Sequence, residues 1–222
     1  MSRIKGALCA VAVSALLGGC SMSRSYTRLA VPAPAPAGTS GSGMVVVLDQ
    51  VQDQREFQPD PRDPSTPSLK KGAEYQLDAD QRKSAIGRKR NRYGMGAGDY
   101  LLKPDQNVEG LTRDLIATTL RGMGYRVLDR PAGDAPDAEH VRVAIDKFWA
   151  WMTPYYVMAA IEAKLDTRLM FSGPSGEKTL EITGYGRNPI RRDRDANWQI
   201  AYDRAFRDYE KNLQKAMRNP GQ

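Results

Sequence analysis

Residues 157–171 alternate apolar and polar side chains with little interruption. Ile161, Ala163, Leu165, Leu169 and Phe171 fall on one side, and Glu162, Lys164, Asp166 and Arg168 on the other. Successive side chains of a strand point to opposite faces, so this run calls for a sheet with one face buried and one wet. Its flanks read the same way. From His140 to about Met152, Val141, Val143, Ile145, Trp149 and Trp151 share one face. From Lys178 to Arg187, Leu180 and Ile182 point inward. Gly173-Pro174-Ser175-Gly176 is a turn. Short connections predict an antiparallel meander of three strands.

Two amphipathic segments frame the meander. Val108, Leu111, Leu115, Thr119 and Met123 form one helical stripe, widened by Ile116 and Leu120 and ended by Gly122 and Gly124. Tyr125-Arg126-Val127-Leu128 then reads as a short strand. Asp195 to about Arg218 is a long helix, with Asp195 as N-cap and Trp198, Ala201, Ala205, Tyr209, Leu213 and Ala216 on its buried stripe. Met44-Val45-Val46-Val47-Leu48 is apolar and β-branched, as in a buried central strand. The fold class expected is α+β: an antiparallel sheet of about four to five strands with two helices packed on one face. Leu115, Leu165, Leu169, Trp198 and Leu213 are expected in its core.

The first residues are of another kind. Arg3 and Lys5 precede an apolar stretch, Ala7 to Leu17, about half the roughly 20 residues that a membrane span needs. Leu17-Gly18-Gly19-Cys20 closes it, which reads as a signal peptide over residues 1–19 with a lipoprotein cleavage site. Cys20 becomes the acylated N-terminus, and two or three acyl chains hold a protein on a membrane. Residues 20–43, with Pro/Ala repeats followed by Gly and Ser, read as a tether that lets the domain stand off by on the order of 25 Å. Residues 44–222 are expected to form a single α+β domain. It carries a Pro-rich and basic loop region at about 56–107. The only cysteines are Cys9 and Cys20, so no disulfide is available to the mature chain. Losing Arg3 and Lys5 with the signal brings the formal charge from +7 to +5. Export argues against nucleic acid as the partner of that charge and leaves phospholipid, lipopolysaccharide or cell wall.

Two segments stand out as candidate sites. In the loop expected over Gln81–Gly98, Arg88, Lys89, Arg90 and Arg92 are a candidate anion or partner site; the plainer reading is a solvated charge run. Gly94 to Gly98 lack the spacing of a nucleotide loop and read as a tight turn. The second candidate is the aromatic stretch Phe148, Trp149, Trp151, Tyr155 and Tyr156. With Trp149 and Trp151 on the core face, Phe148, Ala150 and Met152 point outward. There they form a contact patch or lie under the loop after Gln54, in which Pro59, Pro61, Pro64 and Pro67 exclude regular structure. His140 is the single histidine. No zinc site, cofactor or catalytic set is expected, and no enzymatic activity.

The chain resembles the YajG-type family of bacterial envelope lipoproteins. The resemblance lies in Leu17-Gly18-Gly19-Cys20, in Val45-Val46-Val47 running to Asp53-Gln54-Arg55, in Ile86-Gly87 leading to Arg90-Asn91, and in the helix through Leu115 into Gly124-Tyr125-Arg126-Val127. It implies an outer-membrane lipoprotein with an α+β domain and no reaction, and Ser21 after the cysteine fits outer-membrane sorting. The function expected is a non-catalytic, periplasm-facing lipoprotein that binds an envelope protein or an anionic envelope component. The alternative is a periplasmic hydrolase acting on cell wall or lipid.

Overall fold

The computed structural model describes residues 24–33, 43–59, 61–69, 79–91, 95–128, 137–155 and 158–218. The signal segment, Cys20, Arg92 and Tyr156 lie outside the described residues. In chain order the elements are β1 (Ser25–Thr27), β2 (Val45–Asp53), α1 (Ala79–Ser84), β3 (Ala85–Arg90), β4 (Gly96–Leu102), α2 (Val108–Gly122), β5 (Arg126–Leu128), β6 (Glu139–Pro154), β7 (Ala159–Ser172), β8 (Lys178–Ile190) and α3 (Asp195–Arg218).

The meander is present: β6 pairs antiparallel with β7, and β7 with β8. The rest corrects the expected architecture. The described residues hold an eight-stranded mixed sheet with three helices, where four or five antiparallel strands and two helices were expected. β2 pairs parallel with both β5 and β6. β1, β3 and β4 come from stretches read as tether and loop. Their sequences gave no strand signal because β3 carries three consecutive cations and β4 opens on glycines. Pairing within the sheet, not apolar alternation, makes them strands.

The sheet forks along one edge of β6. Sixteen residues give β6 room for two partners there. β2 takes its first half, from Val46 opposite Glu139 to Asp53 opposite Ile145, and β3 takes its second half, with Gly87 opposite Ala150. β7 runs along the whole opposite edge. Beyond β3 lie β4 and then β1.

A register shift between Ile145 and Lys147 corrects the face assignment of β6. A bulge adds one residue and so reverses the parity of everything beyond it. Val141, Val143 and Ile145 face the main core before the bulge, and Phe148, Ala150 and Met152 face it afterwards. Trp149 and Trp151 therefore point to the other side, contrary to the unbroken alternation expected.

The main core lies between the sheet and α2 and α3. Leu115, Leu165, Leu169, Trp198 and Leu213 are all buried in it, as expected. Phe148 stacks on Tyr202 at 5.2 Å between ring centroids and lies 5.9 Å from Phe206. Asn107 caps α2 by accepting from the Gly110 amide at 2.7 Å.

α3 also seals the free edge of β8. A Cβ on Gly184 or Gly186 would lie 2.4 Å from the Ala205 carbonyl oxygen or 2.0 Å from that of Ala201, so only glycine admits the helix this close. At that distance helix side chains reach the strand backbone. Asp208 Oδ2 accepts from the Tyr185 amide at 2.9 Å, Asn212 Nδ2 donates to the Thr183 carbonyl at 2.8 Å, and Arg204 donates to the Arg187 carbonyl. A long edge strand that would otherwise template another chain is thereby occupied.

Candidate functional site

The basic stretch is built into the fold. Arg88 is buried, donates from Nη1 to the Leu69 carbonyl at 3.0 Å, and packs over Gly96, where a Cβ would lie 2.3 Å from its Nη2. Lys89 reaches Ser25 Oγ at 2.7 Å and Asp195 Oδ1 at 2.5 Å, with its ammonium 5.6 Å from the centre of the Tyr100 ring. Arg90 donates to the Pro61 carbonyl at 3.3 Å. These contacts tie the three described cations into the fold, with Arg88 buried and Lys89 paired with the Asp195 carboxylate. Gly87 and Gly96 beside them serve packing: a Cβ on Gly87 would lie 2.8 Å from the Ala150 carbonyl oxygen.

The aromatic stretch divides. Phe148 is in the main core, while Trp149 and Trp151 form a second small core with Leu69, Ala85 and Leu101. The segment after Gln54 is its cover. Phe57 meets Trp149 edge-on at 5.9 Å, and Trp149 Nε1 donates to the Pro64 carbonyl at 3.2 Å. Of the five aromatic candidates, Tyr155 is the one the described structure leaves in solvent, 47% exposed.

Arg55 holds this region together. It fills the fork where β2 leaves β6. Its side chain is fully buried, binds Asp53 through Nε and Nη2, and donates to the carbonyls of Ala85 and Phe148 from Nη1 and of Arg82 from Nη2. The Asp53-Gln54-Arg55 motif was visible in the sequence, but nothing there showed that its arginine replaces missing sheet hydrogen bonds.

Strand directions bring the exposed apolar and cationic residues together. β3 and β6 run parallel, β4 and β7 run against them, and β1 follows β4. Toward one end of the sheet therefore lie the ends of β3, β6 and β8, the starts of β1, β4 and β7, and the start of α3. Met95, Met158, Tyr155 and Tyr185 are exposed toward this end. Arg187 lies 5.2 Å from the centre of the Tyr155 ring and 3.6 Å from Glu162. Partial burial and the neighbouring Glu162 carboxylate push the Tyr185 hydroxyl above its ordinary pKa. Arg191, Arg192 and Arg194 are exposed just beyond β8. Arginine, tyrosine and methionine are the types enriched where proteins make contacts.

The N-terminal strand has no signal in the sequence. Residues 24–33, assigned to the tether, are folded onto the domain. β1 pairs with β4, Leu29 is buried in the main core, and Gln106 both donates to the Leu29 carbonyl at 2.8 Å and accepts from its amide at 3.1 Å.

His140 Nδ1 lies 3.1 Å from each carboxylate oxygen of Asp49 at the surface. Among the described residues no group of three or more His, Cys, Asp or Glu is placed to hold a metal. No described helix is long and apolar enough to cross a membrane.

No family model matches the chain, and no curated protein does. Several solved structures are similar in outline. One, an uncharacterized protein, is 11% identical with a TM-score of 0.44, over 88% of this chain and 99% of that one. A DUF330 protein from Xanthomonas campestris is 11% identical with a TM-score of 0.42, over 89% of this chain and 99% of its own. A putative neuraminyllactose-binding hemagglutinin homolog from Helicobacter pylori is 13% identical with a TM-score of 0.34, over 85% and 94%. Likeness this slight carries no argument about the activity of this chain.

Proposed function

We propose that the chain is a lipid-anchored protein of the bacterial outer membrane. Its domain faces the periplasm and is a non-catalytic module for an envelope protein or an anionic envelope component. The observation that supports this reading is the surface formed by Tyr155, Tyr185 and Arg187 beside the exposed arginines after β8, on a chain whose first residues read as a lipoprotein signal. The YajG-type motifs support the same assignment.

Cell fractionation tests the anchor, and intact-cell crosslinking tests the surface. The wild-type protein should sediment with the outer membrane. Crosslinked species seen with it should be lost from a Tyr155→Ala/Arg187→Ala variant that keeps its thermal transition. Recovery of the wild type in the soluble fraction contradicts the anchor, and identical crosslinks from the variant contradict the surface. Zymography separates this reading from the hydrolytic one: clearing of cell wall or lipid substrate by the purified protein contradicts a non-catalytic role.

A further inference from the structure

We propose that the end of the sheet bearing Tyr155, Met158 and the Arg191–Arg194 segment docks directly on the anionic phospholipid surface that holds the anchor. The proposal rests on the anchoring reading above and adds an orientation and a ligand to it.

Chain connectivity sets the distance. From Cys20 to Ser25 is five residues, which span at most about 18 Å when fully extended. Ser25 is already paired with Tyr100 in the sheet, and the Lys89 ammonium is bonded to its hydroxyl. The Pro/Ala- and Gly/Ser-rich stretch lies between β1 and β2, downstream of this fixed strand. It therefore cannot act as a spacer between the anchor and the domain. The start of β1 is therefore kept within about 18 Å of the bilayer interface that holds Cys20.

The composition of that end of the sheet suits its position. The start of β1 points toward the end of the sheet where β6 and β8 finish: through β4, β3, β6 and β7, Ser25 is level with Gly186, four residues before Ile190. Met158 is 51% exposed and Met95 60%. Tyrosine and similar amphipathic rings settle at the headgroup level of a membrane. Asp195 is engaged by Lys89, Asp193 accepts from Trp198 Nε1 at 2.7 Å, and Glu162 faces Arg187. Among the described residues, Arg191, Arg192 and Arg194 make no such ion pair, so their guanidinium groups remain for phosphate. The opposite end of the meander is far away: β7 has 14 residues, roughly 45 Å of strand.

The test uses the protein purified from membranes with its anchor and reconstituted into vesicles. These are phosphatidylcholine alone or mixed with phosphatidylglycerol, each with a nitroxide-headgroup lipid as quencher. A fluorophore is attached to Met158→Cys in one preparation and to Ser175→Cys, in the β7–β8 turn, in another. Quenching at position 158 should exceed that at 175 several-fold in anionic vesicles. The difference should shrink with added salt and in an Arg191→Ser/Arg192→Ser/Arg194→Ser background. Equal quenching at the two positions, or more at 175, overturns the proposal. So does an unquenched label at 158 in a protein that crosslinks through that position to another protein in cells. The anchor is scored separately, by the mass of the Cys20 peptide. A peptide without acyl chains together with selective quenching at 158 overturns the anchor alone. An acylated peptide with equal quenching overturns the docking alone.

Discussion

Asp53 and Arg55 form a bidentate pair across a single intervening residue, with Nε–Oδ1 at 2.8 Å and Nη2–Oδ2 at 2.7 Å. The pair is nearly dry, and the arginine spends its remaining donors on three backbone carbonyls at the fork of the sheet. Lysine cannot reproduce this geometry, because its ammonium lacks the planar fork. Arg55→Lys should cost about 3 kcal/mol or more in urea unfolding, since it leaves the Asp53 charge and several buried carbonyls underserved. Asp53→Asn should cost less than Arg55→Lys. An Arg55→Lys loss below about 1 kcal/mol would mean that the fork holds without its guanidinium.

Gly186 sits where any side chain would strike the α3 backbone. Gly186→Ala should push the helix off β8 at a cost of about 3 kcal/mol, at the upper end for overpacking because the obstacle is main chain. Since the helix also covers the strand edge, the variant should self-associate at concentrations where the parent stays monodisperse by light scattering. Unchanged stability and scattering would show that the approach is looser than described.

Leu165 lies at the centre of β7 and is fully buried. Leu165→Ala should cost roughly 2–5 kcal/mol. A value under about 1 kcal/mol would put it on the wrong face. This residue shows what was legible. Where a strand alternates without a bulge, as β7 does, its faces can be read from residue type alone, and both long helices followed from their stripes. Past Ile145 the same rule misplaced Trp149 and Trp151, because an inserted residue leaves no trace in composition. β3 was hidden for another reason. Arg88, Lys89 and Arg90 look solvated in sequence, whereas in the fold the Leu69 and Pro61 carbonyls, Ser25 and Asp195 engage them. The candidate site was only partly legible. Tyr155 stands out in the sequence, but its association with Tyr185, Arg187 and the residues after β8 depends on strand directions that the sequence does not disclose.

Buried tyrosines should make the domain sensitive to alkali. Burial pushes the Tyr100 hydroxyl up to about 12 and raises Tyr202 and Tyr209 as well. An unfolded chain ionises near pH 10, so between about pH 10 and 12 the unfolded state has lost protons that the native state retains, and stability falls as pH rises. Below that window the contribution is fully present. The urea midpoint should be flat from pH 7 to 9 as far as these groups act, and then drop steeply. Tyr100→Phe should shallow the drop. An unaltered slope in that variant would remove Tyr100 from the explanation.

The central claim is that a folded domain follows an acylated cysteine almost immediately. The most direct measurement is the mass of the mature N-terminal peptide from protein purified out of the cell envelope. The account predicts a chain that begins at Cys20 and carries acyl groups. A mature chain that begins elsewhere, or a Cys20 peptide of unmodified mass, would contradict it.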